Sequence, residues 1–135
     1  MTLSPVQVER VDAAVTVLTL SRPERRNALS IALMRELIAA LDSCAADMSQ
    51  RVVILRGMGP VFCAGLDLHE AADPGKAEAS AELVAKLLVT LDASRLVTIA
   101  AVHGVVAAGG AGVMSACDLA VAAEAMDTPS LLLAR

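Results

Sequence analysis

Apolar positions in the first third of the chain follow a strand pattern and then a helical one. We predict strands at Val6–Val11 and Ala14–Leu20, separated by a short turn, because β-branched and alternating apolar residues fill them. From Ile31 to Ala45, apolar residues recur every three or four positions with charged residues between them, which predicts an amphipathic helix. Ser30 is the expected N-cap of this helix, since its hydroxyl can accept a hydrogen bond from an exposed backbone N–H.

The alternation of strands and helices continues along the rest of the chain. We predict further strands at Val52–Leu55, Thr98–Val102 and Leu119–Ala122, and helices at about Ala77–Leu91 and from Gly109 to about Cys117. A polar loop around Pro23 separates the second strand from the first helix, because proline restricts its own backbone and that of the preceding residue. Strands that alternate with helices favour an α/β fold in which helices cover apolar strands.

The segment Leu96–Cys117 tests whether the protein is soluble. It contains no Asp, Glu, Lys or Arg and is long enough to span a bilayer. Its four glycines follow a β-branched run, so we favour a buried strand, a glycine turn and a buried helix. The alternative is a membrane helix, because small residues also occur where membrane helices meet. On the favoured interpretation we expect no membrane partner.

Composition and charge limit the class of protein. A chain of 135 residues has room for one domain, and 56% hydrophobic residues with only 1% aromatic residues predict a core of small aliphatic contacts. The net charge of −4 provides no field that would attract a polyanion, so we expect no nucleic-acid partner.

The cysteines argue for a reducing compartment. Cys44, Cys63 and Cys117 are odd in number and widely spaced, which fits neither a disulfide framework nor a CxxC metal or redox site. We interpret them as buried, reduced thiols and predict no metal. The N-terminus also lacks a basic start followed by an apolar run, so we expect a cytoplasmic protein.

Two strand-to-glycine transitions, at residues 52–68 and 99–112, are the strongest candidates for chemistry. The chain has no GxSxG, Walker, HExxH or strand-linked GxGxxG motif. Each transition presents uncovered backbone N–H groups at a strand end, and the second also lies at a helix start, which favours a negative oxygen. If the two converge, they form an oxyanion hole. From spacing alone, however, tight turns and close packing explain these glycines better.

The segments Arg22–Ser30, Val52–Glu70 and Ala101–Ala122 together resemble the crotonase superfamily, which comprises enoyl-CoA hydratases and isomerases. The resemblance implies an α/β fold built as a spiral of repeated strand-strand-helix units, here incomplete at the C-terminus. Residues 1–124 would form the N-terminal part of such a domain. Residues 125–135 would be a divergent tail, of the kind that a frameshift or a truncation produces.

The same resemblance implies a binding site for an acyl-CoA thioester, with no cofactor besides the coenzyme A of the substrate. The backbone N–H groups of Leu66 and Gly109 would hold the thioester oxygen. The predicted CoA-binding residues are Arg25, Arg26, Ala64, Leu66, Asp67, Leu68, His69 and Gly109. The arginines would meet the CoA phosphates, although a solvated loop also explains them. For Asp67 the alternative is a local cap.

The acid–base residues of the family have no counterpart here. Hydratases of the family carry a catalytic glutamate three residues after the oxyanion glycine, where this chain has Gly112, and a second one at a position that falls near Leu132. Asp127 is a conceivable substitute. The resemblance implies hydration or isomerisation of an enoyl-CoA, in a truncated protein whose activity the missing glutamates leave open. The rivals are a non-catalytic CoA-thioester binder or assembly subunit, and a marginal fragment. The resemblance also implies a homo-trimer or hexamer for the parent family, which the truncation argues against for this chain.

The remaining polar candidates have simpler interpretations. His69 and His103 stand alone, with no carboxylate or cysteine at metal-ligand spacing, so we interpret both as ordinary loop residues. Glu70 follows the first glycine segment. We interpret Glu70 as a charged residue on a helix face, and the alternative is a minor role in proton transfer.

Overall fold

The computed structural model of the protein describes residues 4–104, 106 and 109–123. The strands are β1 (Val6–Arg10), β2 (Val15–Leu20), β3 (Val52–Gly57), β4 (Val97–Val102) and β5 (Leu119–Ala122). The helices are α1 (Ile31–Ala46), α2 (Leu68–Ala72), α3 (Ala77–Ala93) and α4 (Gly109–Ala116), and a single 3-10 turn covers Pro23–Arg25.

The strands form one sheet in the order of the chain, β1-β2-β3-β4-β5. β1 pairs antiparallel with β2, and every later pairing is parallel. Val17, Ile54 and Ile99 are neighbours across the three central strands, so β-branched side chains meet in the middle of the sheet. Since β2, β3 and β4 run in the same direction, the segments that follow them emerge at one edge of the sheet.

A short extended segment follows each central strand before the next helix begins. Leu29, after β2, forms an isolated parallel bridge with Leu66, after β3. Cys63, also after β3, forms another with Val106, after β4. The repeating unit is thus a strand, a short bridging segment and a helix, which confirms the strand-strand-helix spiral that the family resemblance implies.

The core lies between the sheet and the helices α1 and α3. The apolar face of α1 is buried, and the side chains of Leu33, Leu37 and Leu18 are 0% exposed. Phe62, which is the only aromatic residue of the sequence, is also 0% exposed. The rest of the core consists of aliphatic side chains and cysteines, as the composition indicates. All three cysteines are buried, as predicted.

The predicted elements are confirmed with small shifts at their ends, but one helix was missed. β3 extends two residues beyond the predicted end because Leu20 of β2 pairs with Gly57. The missed helix, α2, has five residues, which is too short for an apolar period to be recognised. Leu96–Cys117 is divided between β4 and α4, and among the described residues no helix is both long and apolar enough to cross a membrane.

The Ser30 N-cap predicts a specific loss of stability. The Ser30 hydroxyl accepts a hydrogen bond of 3.1 Å from the backbone N–H of Leu33. Replacing Ser30 with alanine should lower the free energy of unfolding by about 1 kcal/mol, because that N–H then lies at a buried helix start without an acceptor. Urea unfolding measures the change. Ser43→Ala, at an exposed position within α1, is the control. It should change the free energy of unfolding by less than about 0.5 kcal/mol. Equal losses of stability in the two variants would contradict the role of Ser30 as a cap.

Candidate functional site

Asn27 joins the loop that follows β2 to the loop that follows β3. Its side chain is 0% exposed, and its backbone is left-handed with a φ of 55°. The side-chain oxygen accepts a hydrogen bond of 2.8 Å from the backbone N–H of Arg22. The side-chain nitrogen donates to the carbonyls of Met58 and Val61, at 2.9 and 2.8 Å, and to that of Phe62 at 3.2 Å. One buried amide therefore connects both loops.

The segment around Leu66 pairs with the segment around Leu29 as two parallel strands do. The N–H of Leu29 donates to the carbonyl of Gly65 at 2.7 Å, and the N–H of Asp67 donates to the carbonyl of Leu29 at 3.2 Å. In a parallel bridge of this kind, the N–H and C=O of the middle residue, Leu66, point away from the partner segment. Within the described residues, the Leu66 N–H donates no hydrogen bond.

Gly109 begins α4 directly beside Leu66. A Cβ atom placed on Gly109 would lie 3.3 Å from the backbone nitrogen of Leu66 and 3.3 Å from the Cα of Gly65. The next residue, Gly110, packs closer, because a Cβ there would overlap the carbonyl oxygen of Cys63. Glycine at 110 thus permits α4 to pack. Glycine at 109 leaves space at the amide of Leu66.

Asp67 is a helix cap and also lines the site. Its carboxylate accepts hydrogen bonds from the backbone N–H groups of His69, at 3.0 Å, and Glu70, at 3.3 Å, and so caps α2. Its second oxygen lies 3.8 Å from a guanidinium nitrogen of Arg22. That guanidinium also donates to the carbonyl of Ala28 at 3.3 Å. The local-cap alternative for Asp67 is therefore present in the structure.

The carboxylate of Glu70 serves the neighbouring helix. It accepts a hydrogen bond of 2.7 Å from the backbone N–H of Ile31, the first residue of α1. A negative side chain at this end of a helix is favourable, because the first N–H groups carry a partial positive charge. Glu70 thus fastens α2 to the start of α1. The contact agrees with a charged structural role for Glu70.

Most of the predicted CoA-binding residues surround one open cavity of about 260 Å³. Its lining consists of Arg25, Ala28, Ala64, Leu66, Asp67, Leu68 and His69. The side chain of Leu68 is 76% exposed. A neighbouring cavity of about 680 Å³ shares Arg25, Asp67 and His69 with the first. The two cavities therefore adjoin at these three residues.

Two predicted residues do not line this smaller cavity. Arg26 is exposed, and its backbone is left-handed with a φ of 55°. Its main-chain carbonyl accepts a hydrogen bond of 3.0 Å from the N–H of Ala64, so the backbone of Arg26 supports the site. Gly109 lies next to Leu66 but outside the cavity lining. The contacts made by Arg22 and Asn27 were not predicted, because both depend on how the loops pair in three dimensions.

The remaining candidates have other neighbours or lie outside the described residues. His103 hydrogen-bonds through its ring to the carbonyl of Gly59, and so holds the loop after β3. A Cβ on Gly112 would lie 3.8 Å from Leu88 of α3, which is ordinary contact. Asp127, Leu132 and the predicted tail at 125–135 lie outside the described residues.

Cys63 is inert in the folded state. Burial raises the pKa of its thiol to about 11, although a hydrogen bond from the backbone N–H of Gly65 acts in the opposite direction. The thiol therefore remains protonated at neutral pH, and nucleophilic attack requires the thiolate. Cys63 lies three residues before Leu66 and supplies no nucleophile at neutral pH.

Comparison with known proteins identifies relatives over nearly the whole described chain. Residues 10–129 match a family model described as enoyl-CoA hydratase/isomerase. The chain is 37% identical over 110 residues to an enoyl-CoA hydratase of Alternaria alternata, covering 82% of this chain and 37% of that protein. It is also 37% identical over 110 residues to the 2,3-dehydroadipyl-CoA hydratase of Escherichia coli K12, covering 82% and 43% of the two chains.

Solved structures agree with the sequence matches. The fold superimposes on the crystal structure of an enoyl-CoA hydratase from Bacillus anthracis with a TM-score of 0.85 and 31% identity. The match covers 90% of this chain and 48% of that one. The chain thus spans less than half the length of each of these three relatives.

Thiol chemistry provides a test of the site's burial. Cys63 is 0% exposed and Cys44 is 8% exposed, so a thiol-specific reagent at neutral pH should modify Cys44 before Cys63 and react with both quickly only in denaturant. Mass spectrometry of digested, time-quenched samples identifies the order. Since burial raises the pKa of the Cys63 thiol above its ordinary value of 9.0, the protonated thiol should stabilise the fold below that pH, and this contribution is lost as the pH rises through about 11. Rapid labelling of native Cys63 would contradict the geometry.

Proposed function

Because this chain belongs to the enoyl-CoA hydratase/isomerase family, we propose that it binds an acyl-CoA thioester and polarises its carbonyl between the backbone N–H groups of Leu66 and Gly109. The observation that carries the proposal is the position of Gly109, whose missing side chain leaves room 3.3 Å from the nitrogen of Leu66. A carbonyl oxygen held there would gain stabilisation as it becomes negative during enolate formation.

The two proposed donors differ in origin, and each has a physical reason to be available. Leu66 lies in a parallel bridge that directs its N–H away from Leu29, and the described residues offer that N–H no acceptor. Gly109 is the first residue of α4, where backbone N–H groups lack a partner within the helix and the helix dipole is positive. Removing one donor from an oxyanion hole costs about 2.7–4 kcal/mol of transition-state stabilisation in a comparable enzyme.

The open cavity supports a path for the CoA portion of the ligand. Arg25 lines both adjoining depressions and can meet a phosphate group, while the exposed Leu68 offers an apolar contact. Ala64 and His69 also line the smaller cavity. The relatives named above are hydratases of CoA thioesters, which agrees with a ligand of this class.

A non-catalytic CoA-thioester binder or assembly subunit is the second candidate function. The two carboxylates nearest the Leu66 segment, Asp67 and Glu70, both accept backbone hydrogen bonds at helix starts. Gly112, one helical turn after Gly109, has no side chain that can transfer a proton. Binding without turnover is the expected behaviour of this candidate, whereas an enzyme would hydrate a short 2-enoyl-CoA.

Gly109→Ala tests the oxyanion site directly. The new methyl group would lie 3.3 Å from the nitrogen of Leu66 and obstruct a bound carbonyl, while the N–H of residue 109 is kept. We expect the dissociation constant for butanoyl-CoA to rise about tenfold, which corresponds to about 1.4 kcal/mol or roughly one hydrogen bond. Isothermal titration calorimetry measures it. Free CoA, which has no thioester carbonyl, should bind both proteins equally.

Gly112→Ala is the matched control, because it adds a methyl group to the same helix at a position with only ordinary contact to Leu88, 3.8 Å away. It should bind butanoyl-CoA as the wild type does. If Gly109→Ala also retains wild-type affinity, the carbonyl does not lie between Leu66 and Gly109.

Gly112→Glu tests whether the scaffold lacks only an acid–base group. The carboxylate would stand three residues after Gly109, on the same side of α4. We expect hydration of but-2-enoyl-CoA to exceed that of Gly112→Gln, which has the same size but cannot transfer a proton, and general acid–base catalysis typically contributes about 10²–10⁴-fold. Loss of the conjugated enoyl absorbance measures the rate. Equal rates for the two variants would favour the non-catalytic binder.

A further inference from the structure

We infer that Asn27 is a positioning residue that sets the orientation of the Leu66 amide. The inference rests on the proposed function, since it concerns the same carbonyl site. Asn27 does not line the cavity, although its neighbours Arg25 and Ala28 do. It acts through the segment that leads from β3 to Leu66.

That segment has little regular secondary structure to hold it. Between the end of β3 and the start of α2, the chain makes only isolated bridges at Cys63 and Leu66. The side-chain nitrogen of Asn27 donates to the carbonyls of Val61 and Phe62, which lie immediately before this bridged stretch. A shift of these two carbonyls would therefore be passed along the chain to Leu66.

The main chain of the Asn27 loop also forms hydrogen bonds with the same segment, at Ala64 and Gly65. The carbonyl of Arg26 accepts from the N–H of Ala64, and the N–H of Leu29 donates to the carbonyl of Gly65. The loop thus holds the segment at its start through the Asn27 side chain, and beyond it through the backbone. With both ends of the stretch fixed, the direction of the Leu66 N–H is fixed as well.

Asparagine suits this position for three physical reasons. Its backbone tolerates the left-handed φ of 55° better than most residues with a Cβ do. Its side chain carries one acceptor, used by the N–H of Arg22, and two donor hydrogens, shared among three carbonyls. The space is also closely fitted, because a Cβ on Gly57 would lie 2.9 Å from the Asn27 nitrogen. Glutamine, aspartate or serine cannot supply the same set.

The experiment measures how strongly the protein polarises a bound thioester. Butanoyl-CoA labelled with ¹³C at the carbonyl is added to the full chain, and the carbonyl stretch is recorded by isotope-edited infrared difference spectroscopy. In the wild type, the stretch should shift to lower frequency than in water. Asn27→Gly keeps a backbone that accepts positive φ but removes the amide. We expect it to lose most of that shift and to bind butanoyl-CoA about tenfold more weakly, while its affinity for free CoA stays within about twofold.

Gln50→Ala is the matched control for lost stability. Gln50 is also a buried side-chain amide that joins two loops, since it accepts from the hydroxyl of Thr16 and donates to the carbonyl of Ala13 at 3.2 Å. It precedes β3, at the opposite edge of the sheet from Asn27. Both variants should unfold at lower urea concentrations than the wild type. Only the Asn27 variant should lose the carbonyl shift.

A second variant covers the case in which Asn27→Gly does not fold. Asn27→Asp has nearly the same shape and keeps the oxygen that accepts from Arg22, and in its protonated form it can still donate one hydrogen bond. It should recover part of the carbonyl shift as the pH is lowered, which a purely structural role would not produce.

The outcomes separate this inference from the proposed function. If the wild type itself shows no carbonyl shift, the proposed binding of the thioester is wrong. If the wild type shows the shift and a folded Asn27 variant keeps it in full, Asn27 does not orient the site, although the proposed function stands.

Discussion

The parallel pairing of β2, β3 and β4 is the constraint on which the rest of the structure depends. It brings the segments after these strands to one edge of the sheet, where Leu29 meets Leu66 and Cys63 meets Val106. Neither bridge extends into a strand, so the edge needs further support. The buried amide of Asn27 provides it, because it accepts from the main chain of its own loop and donates to the main-chain carbonyls of the other.

The polar side chains at this edge serve mainly to hold backbone in place. Asp67 and Glu70 cap the starts of α2 and α1, and Arg22 bonds to a carbonyl of its own loop. These contacts satisfy groups whose burial without partners would be costly. With the side chains so occupied, backbone amides become the natural candidates for contact with a ligand.

The strands and helices were predicted well from the sequence wherever the apolar residues repeat over a segment long enough to recognise. The apolar repeat of α1, the N-cap at Ser30 and the β-branched central strands follow from local rules, and all three agree with the structure. The five-residue α2 was not predicted, since a helix of little more than one turn shows no apolar period. The Asn27 contacts were not predicted either, because hydrogen bonds between residues 31 to 35 positions apart have no local sequence signature.

The candidate site was predictable only in part. The resemblance to a known family pointed to the residues that now surround the cavity, and the glycines indicated uncovered backbone. Spacing alone could not separate the roles of Gly109 and Gly110, because their difference lies in what each faces: the amide of Leu66 in one case and the carbonyl of Cys63 in the other. The outward position of Leu68, with 76% of its surface in water, has a thermodynamic consequence. A ligand that covers this side chain removes hydrated apolar surface, so its association enthalpy should become more negative as the temperature rises.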